Sequence, residues 1–425
     1  MIPFISSVII GLLVSSFSAI TGVCYFVVLQ LFYLSNEKYS EAILLVYLIY
    51  VFSDSRSSLL SFAETTKVFL VFSLPYIATK LNSRSSINGT AFIPFIVYCF
   101  VLVLFSEVPF RSFQKTLSYS ILLISSPLLL TGVIETYGKL FFKKLIVMFG
   151  LILLIGLILI LINYDFVHLI GRFRGLLGNP NGMGIFGIVF FLLFQVVQDR
   201  YPNIFSRKEV IVLGVLFVLS IVYSGSRSGI FTILLFYGLR WIFRRSTSLG
   251  VFVSVISVVV MNFVTIDWIG IIQTFGLQEY FRVETLTEGS GRLVAWNFAW
   301  EQIQENVLWG YGFVHNEYIF GKYILQLSNL GHQGNVHNSF LTLWLDTGLI
   351  GLLLFLLPLL RLVYKAALNT QVALPIFICF VFSANFESWL SASLNPFTII
   401  FYFTMYLMVF KRAVDIDSQA ELTIK

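Results

Sequence analysis

The chain has 425 residues, 58% of them apolar, 17% aromatic and 11% charged, with a formal net charge of +6 at pH 7. Soluble domains carry about 25% charged and about 45–50% apolar residues, so these side chains cannot clothe a water-facing surface. A cytosolic enzyme, a nucleic-acid binder and a disordered chain are excluded; the expected fold class is all-α, a polytopic bundle of about 12–14 transmembrane helices.

The first apolar stretch begins at once with Ile2, Pro3 and Phe4. No basic residue precedes it and no small-residue cleavage site follows, so it reads as a retained anchor. Residues 1–34 suffice for one tilted span or two short ones, with the break at Thr21 and Gly22. Further apolar runs follow at 42–52, 68–80, 91–106, 117–134, 145–162, 183–197, 210–223, 229–243, 249–266, 338–358, 372–386 and 394–410. Cys24, Cys99 and Cys379 all fall inside apolar runs without metal-ligand spacing, and read as small hydrophobes.

Lys and Arg set the orientation. With the tail at Lys411 and Arg412 cytoplasmic, 17 of the 27 basic residues fall inside. The outer ten are Arg56, Lys67, Arg111, Lys115, Arg172, Arg174, Arg227, Arg282, Arg292 and Lys322. The one large break in hydropathy, 267–337, is therefore an outer loop between an N-terminal bundle (1–266) and C-terminal helices with a short tail (338–425). So long a connection points to function. Within it Leu293, Trp296, Trp300, Ile303 and Val307 recur at helical spacing, which predicts an amphipathic helix on the membrane or on the bundle, with Ser290 as N-cap and Arg292 in the first turn.

Four clusters on that outer face can carry chemistry. In the first, Arg172 and Arg174 precede a loop with Gly178, Asn179, Asn181, Gly182 and Gly184. Its glycines and asparagines suit a tight turn, and free amides at the next helix start favour an anion; two interfacial arginines in lipid head groups are the plainer alternative. In the second, Ser224-Gly-Ser-Arg227-Ser-Gly229 joins two apolar runs with almost no loop. An arginine held there is costly unless it faces a polar cavity, pairs with an anion or snorkels to the surface. In the third, Gly289-Ser-Gly291-Arg292 opens the amphipathic helix, so guanidinium and free amides can act on one phosphate; the bland reading is a solvated arginine.

The fourth cluster, Gly331-His332-Gln-Gly-Asn-Val-His337-Asn338-Ser339, leads into a run containing Asp346, Gly348 and Gly351. If the helix includes His337, then His337, Trp344, Gly348 and Gly351 share one face and the glycines leave room beneath the imidazole, while Asp346 points away and serves packing or an interhelix hydrogen bond. A neutral imidazole at the membrane surface can accept a proton from a sugar hydroxyl; the alternative is a histidine satisfied within its own loop. Neither a nucleophilic triad, a nucleotide-binding glycine motif nor a divalent-metal motif is present in the sequence.

Taken together, these residues resemble the O-antigen polymerase and O-antigen ligase superfamily, most densely between Arg172 and Gly351. The ligase-type pattern of His, then Asn, Ser or Gln, nine residues, Gly, two residues and Gly is met by His337, Asn338, Gly348 and Gly351. His315 and His332 lack the glycines at that spacing. The resemblance implies a bacterial inner-membrane enzyme of the GT-C type, working on the periplasmic face on a glycan carried by undecaprenyl pyrophosphate. Arg227 and Arg292 match the arginines that grip pyrophosphate, Arg172 or Arg174 matches an additional one, and His337 matches the residue that activates the acceptor hydroxyl. The implied transfer is inverting and metal-independent, with no cofactor. A chain-length regulator and a flippase are the implied protein partners. Polymerases are numerous and divergent and are favoured here over ligases that move the finished glycan to lipid A core or protein. A small-anion carrier is the reading from another class; no matching polar residues at mid-membrane support it.

Overall fold

The computed structural model describes residues 2–55, 57–81, 89–263, 291–332 and 334–410. Arg56, Arg282, Gly289, Ser290 and the tail from Lys411 onward lie outside the described residues. In chain order the helices are α1 (Ile2–Ser15), α2 (Ala19–Ser35), α3 (Tyr39–Ser53), α4 (Phe62–Leu70), α5 (Ser73–Lys80), α6 (Ile93–Val103), α7 (Pro109–Tyr137), α8 (Lys139–Ile162), α9 (Tyr164–Val167), α10 (Pro180–Arg200), α11 (Arg207–Ser224), α12 (Arg227–Arg245), α13 (Thr247–Phe263), α14 (Arg292–Glu305), α15 (His315–Lys322), α16 (Ile324–Asn329), α17 (Ser339–Asn369), α18 (Ala373–Phe386) and α19 (Thr398–Leu407). The only sheet among the described residues is a hairpin of β1 (His168–Leu169) and β2 (Arg172–Phe173). The fold is all-α, as hydrocarbon demands: a helix satisfies its own backbone hydrogen bonds where no water can. Helices α7, α8, α10 and α17 are long and apolar enough to cross a membrane.

The first 34 residues form two helices packed on each other, α1 and α2. Their turn lies at Ser16–Ser18, not at the expected Thr21–Gly22. Ser18 caps α2 by accepting from the Ile20 amide at 3.1 Å, and the Thr21 hydroxyl reaches back to the Val14 carbonyl at 2.9 Å. Capping by a serine outweighs the glycine as a stop signal. The expected run 68–80 is divided between α4 and α5, whereas the run 117–134 is the middle of α7, which begins early enough to hold Arg111 and Lys115 in its first turns.

Two compact units emerge, each assembled from separate stretches of chain. The first comprises 1–90, 118–226 and 393–425; the second comprises 91–117 and 227–392. In the first unit α3 is buried along nearly its whole length and packs on α4, as expected of a helix apolar on every side. α10 is buried in the same way between α11 and α19. Gly187 permits its approach to α11, because a Cβ there would strike Ile221, and at Gly184 one would strike Ser226 in the turn after α11.

The second unit is organised around α17, which packs on α6, α14 and α18. Gly348 interrupts α17 with φ 66° and ψ 178°. Into the break fits the segment 307–312. The amides of Leu349 and Ile350 donate to the Val307 and Leu308 carbonyls at 2.9 and 3.1 Å, and the Asp346 carbonyl accepts from Tyr311 and Gly312 at 3.0 and 2.7 Å. The Trp344 indole donates to Val307 at 3.1 Å, so the loop backbone replaces the hydrogen bonds that the helix gives up. α14 forms as expected, but Gly291, with φ 72°, is its N-cap residue. Its predicted stripe is split: Ala295, Ala299 and Ile303 face inward, while Leu293 and Trp300 are 56% and 42% exposed. Alanines win the inner face because they allow α14 to lie close to α17.

Gly348→Ala is expected to destabilise the second unit. A Cβ would strike the Leu308 carbonyl, and the backbone angles alone cost a non-glycine residue about 1–3 kcal/mol. Gly238→Ala, in a helical position with open space around it, is the control and should be neutral or slightly stabilising. Thermal unfolding of the two purified variants checks this; equal midpoints would contradict it.

Candidate functional site

In the second unit His337 lies outside α17, with φ 51°. Asn338 is the N-cap, its side-chain oxygen accepting from the Phe340 and Leu341 amides at 2.9 and 3.1 Å. The condition for a shared face of His337, Gly348 and Gly351 is therefore not met. Gly348 makes the helix break instead, and a Cβ on Gly351 would strike Thr347. A glycine does leave room at the imidazole, but it is Gly334 (φ 124°), where a Cβ would lie 3.2 Å from His337 Nε2. Left-handed backbone at a histidine costs energy that the surroundings must repay; the Asn335 side chain helps by accepting from the His337 amide at 3.0 Å.

The partner of His337 is Glu387, immediately after α18. His337 Nδ1 is 3.0 Å from one carboxylate oxygen, and Arg292 Nη2 donates to the other at 2.9 Å. Arg292, His337 and Glu387 thus form one constellation, all three partly buried. With Nδ1–H donating to the carboxylate, the lone pair resides on Nε2 and can accept a proton. Backbone ties hold Glu387 in place. Its carbonyl accepts from the Ser339 hydroxyl at 2.7 Å, and the Ser388 hydroxyl accepts from the Asn338 amide at 3.1 Å. Sequence reasoning missed Glu387. The signal was a lone carboxylate closing the apolar run 372–386, costly for the same reason as Arg227.

Arg227 and Arg292 are each the first residue of a helix, α12 and α14. A cation at that end opposes the helix dipole, by about 0.3–1 kcal/mol, unless an anion joins it. A guanidinium beside the amides of a helix start is an arrangement that favours an anion.

Asp346 is fully buried and makes its hydrogen bonds to another element. Its carboxylate accepts from the Asn316 amide and side chain, both at 2.8 Å, and from the Val314 amide at 3.3 Å, so it caps α15. Lys115 Nζ stands 4.0 Å from it.

In the first unit the structure joins the first cluster to the second. Arg172 Nε donates to the Ser224 carbonyl at 2.9 Å, and Nη2 to the Asn181 side chain and the Gly225 carbonyl at 3.2 and 3.3 Å. Arg174 turns back to the Phe166 carbonyl at 3.1 Å. Asn179 caps α10, accepting from the Gly182 amide at 2.7 Å. The Asp54 carboxylate accepts from the Gly178 amide at 3.2 Å, a second acidic support absent from the sequence reading.

Neither other loop histidine resembles His337 in its setting. His332 is buried with its ring edge-on to His337, centroids 5.9 Å apart, and burial lowers its proton affinity. His315 is buried and stacked on Tyr311 at 4.1 Å; burial first, and Lys322 second, push it down to about 4. Its folded value thus lies below the ordinary 6.5, so the unfolded chain takes up a proton that the folded chain refuses. Stability conferred above pH 6.5 is lost as pH falls to about 4. His315→Phe keeps the stacking and removes the titration, and the thermal midpoint should then fall less steeply between pH 6.5 and 4. Identical slopes would contradict the assignment.

Residues 212–356 match a family model described as O-antigen ligase. No curated protein matches the chain. The matched stretch contains Arg227, Arg292, His337, Asn338, Gly348 and Gly351, and ends before Glu387. It supports a place for this chain in the O-antigen ligase/polymerase superfamily.

Proposed function

We propose that the chain is a polysaccharide polymerase of the bacterial inner membrane, joining repeat units carried on undecaprenyl pyrophosphate at the periplasmic face. The observation that carries this reading is the Arg292–Glu387–His337 constellation: an anion-binding group and a general base held on one carboxylate. The acceptor sugar hydroxyl gives its proton to His337 Nε2 while its oxygen attacks the anomeric carbon from the face opposite the leaving group. The bond to the pyrophosphate breaks, and the electron pair leaves with the lipid pyrophosphate. Arg292 and Arg227, with the amides of their helix starts, stabilise that developing charge. Glu387 holds the imidazole and balances the imidazolium, which remains the proton carrier. Arg172 and Arg174 serve in their own unit: Arg172 braces the Ser224–Gly225 turn that leads into Arg227.

A second reading, transfer of the finished glycan to lipid A core, is favoured by the description of the matching family. Purified protein given lipid-linked repeat units together with lipid A core distinguishes the two. A ladder of longer lipid-linked products supports the polymerase, and glycan appearing on the core supports the ligase.

His337→Ala is expected to lower transfer by about 10²–10⁴-fold while leaving a folded protein. Arg227→Lys should be nearly as damaging as Arg227→Ala, because lysine keeps the charge and loses the forked donor pair. Transfer assays with chelator present check both. Near-normal turnover in His337→Ala, or full activity in Arg227→Lys, would remove these roles.

A further inference from the structure

Glu387 gives one oxygen to Arg292 and the other to His337, at 2.9 and 3.0 Å. Its backbone is extended, with φ −150° and ψ 148°, and is tied to the start of α17 through Ser339. The carboxylate is therefore held where it can serve either partner, and the side chains of Arg292 and Glu387 are only 25% and 14% exposed. A guanidinium so placed is costly without a counter-charge, and Glu387 supplies it. The same edge of Arg292 is the one that a phosphate would use, because Nη2 is a terminal nitrogen of the fork.

We propose that Glu387 is a donor-sensitive counter-ion: it neutralises Arg292 until the pyrophosphate of the donor takes over that charge, and then serves His337 alone. This rests on the preceding reading of the site and adds to it an order of events. A pyrophosphate carries more charge than one carboxylate and can meet both the guanidinium and the amides at the start of α14, so it displaces Oε1. Glu387 then keeps its full negative charge for the bond to His337 Nδ1–H. That bond strengthens as the hydroxyl proton arrives at Nε2, since it becomes charge-assisted. No proton passes to Glu387; the base is readied by donor binding, and the acceptor is activated only when a donor is in place to be attacked.

Glu387→Gln tests this because it keeps shape and removes charge. Two quantities are read on the full-length protein in lipid nanodiscs: binding of undecaprenyl pyrophosphate without glycan, and turnover with the lipid-linked repeat unit. A counter-ion that competes with the donor predicts opposite signs. Binding should tighten by about 5-fold or more while turnover falls by about 10²-fold or more. Glu387→Asp, which keeps the charge, should bind the probe as the wild type does and recover part of the turnover, and it keeps the test open if Glu387→Gln folds poorly. Weaker or unchanged binding in Glu387→Gln, or loss of binding in Glu387→Asp, overturns the proposal, because Glu387 would then only hold Arg292 in place. Wild-type protein that fails to bind undecaprenyl pyrophosphate overturns the reading of the site itself.

Discussion

A carboxylate that closes an apolar helix has to find partners, and Glu387 finds two. Its two carboxylate oxygens are each taken by a different partly buried side chain, so the positions of Arg292 and His337 are tied to that of Glu387. Three elements meet at this one group: the start of α14, the residue before the cap of α17 and the end of α18. The remaining features of the second unit serve to keep those ends together. Ser339 and Ser388 lace the end of α18 to the start of α17, and Asn338 ends the irregular backbone around His337 by capping the helix.

The break in α17 solves a related problem. The start of α14 must keep a fixed distance from the imidazole that precedes α17, and side-chain packing alone leaves slack. Here the backbone of 307–312 is hydrogen-bonded into the interrupted helix, and the Asp346 carboxylate anchors the following 314–316. Two independent ties on adjacent stretches hold α14 and α15 to α17. Gly348 carries this arrangement because no other residue adopts its backbone angles beside a carbonyl.

The sequence makes the all-α class, the apolar runs and the loop helix legible because each is a statement about composition or period, which survives without knowing what packs on what. Arg227 could be singled out for a similar reason, because charge next to an apolar run is costly wherever the chain goes; Arg292 was marked by its place at the opening of the loop helix and His337 by its spacing to Asn338, Gly348 and Gly351. What escaped was pairing between distant positions. Glu387 is 50 residues from His337 and 95 from Arg292, so nothing local linked them. The shared face expected for His337, Gly348 and Gly351 fails because helical period does not extend back over His337, where the backbone turns left-handed. Likewise Trp300 belongs to the helix as expected, yet faces outward, because hydropathy does not tell which of two apolar faces meets the protein.

The central claim is that an imidazole on one face of the reacting sugar and arginines on the other drive a direct displacement. It is tested most directly by the anomeric configuration of the new glycosidic bond, read by nuclear magnetic resonance on the product of purified protein and a lipid-linked repeat unit of known configuration. The account predicts inversion in a single transfer. Retention of configuration would contradict it, for retention by double displacement requires a covalent glycosyl intermediate, which would make Glu387 a nucleophile instead of the partner of His337.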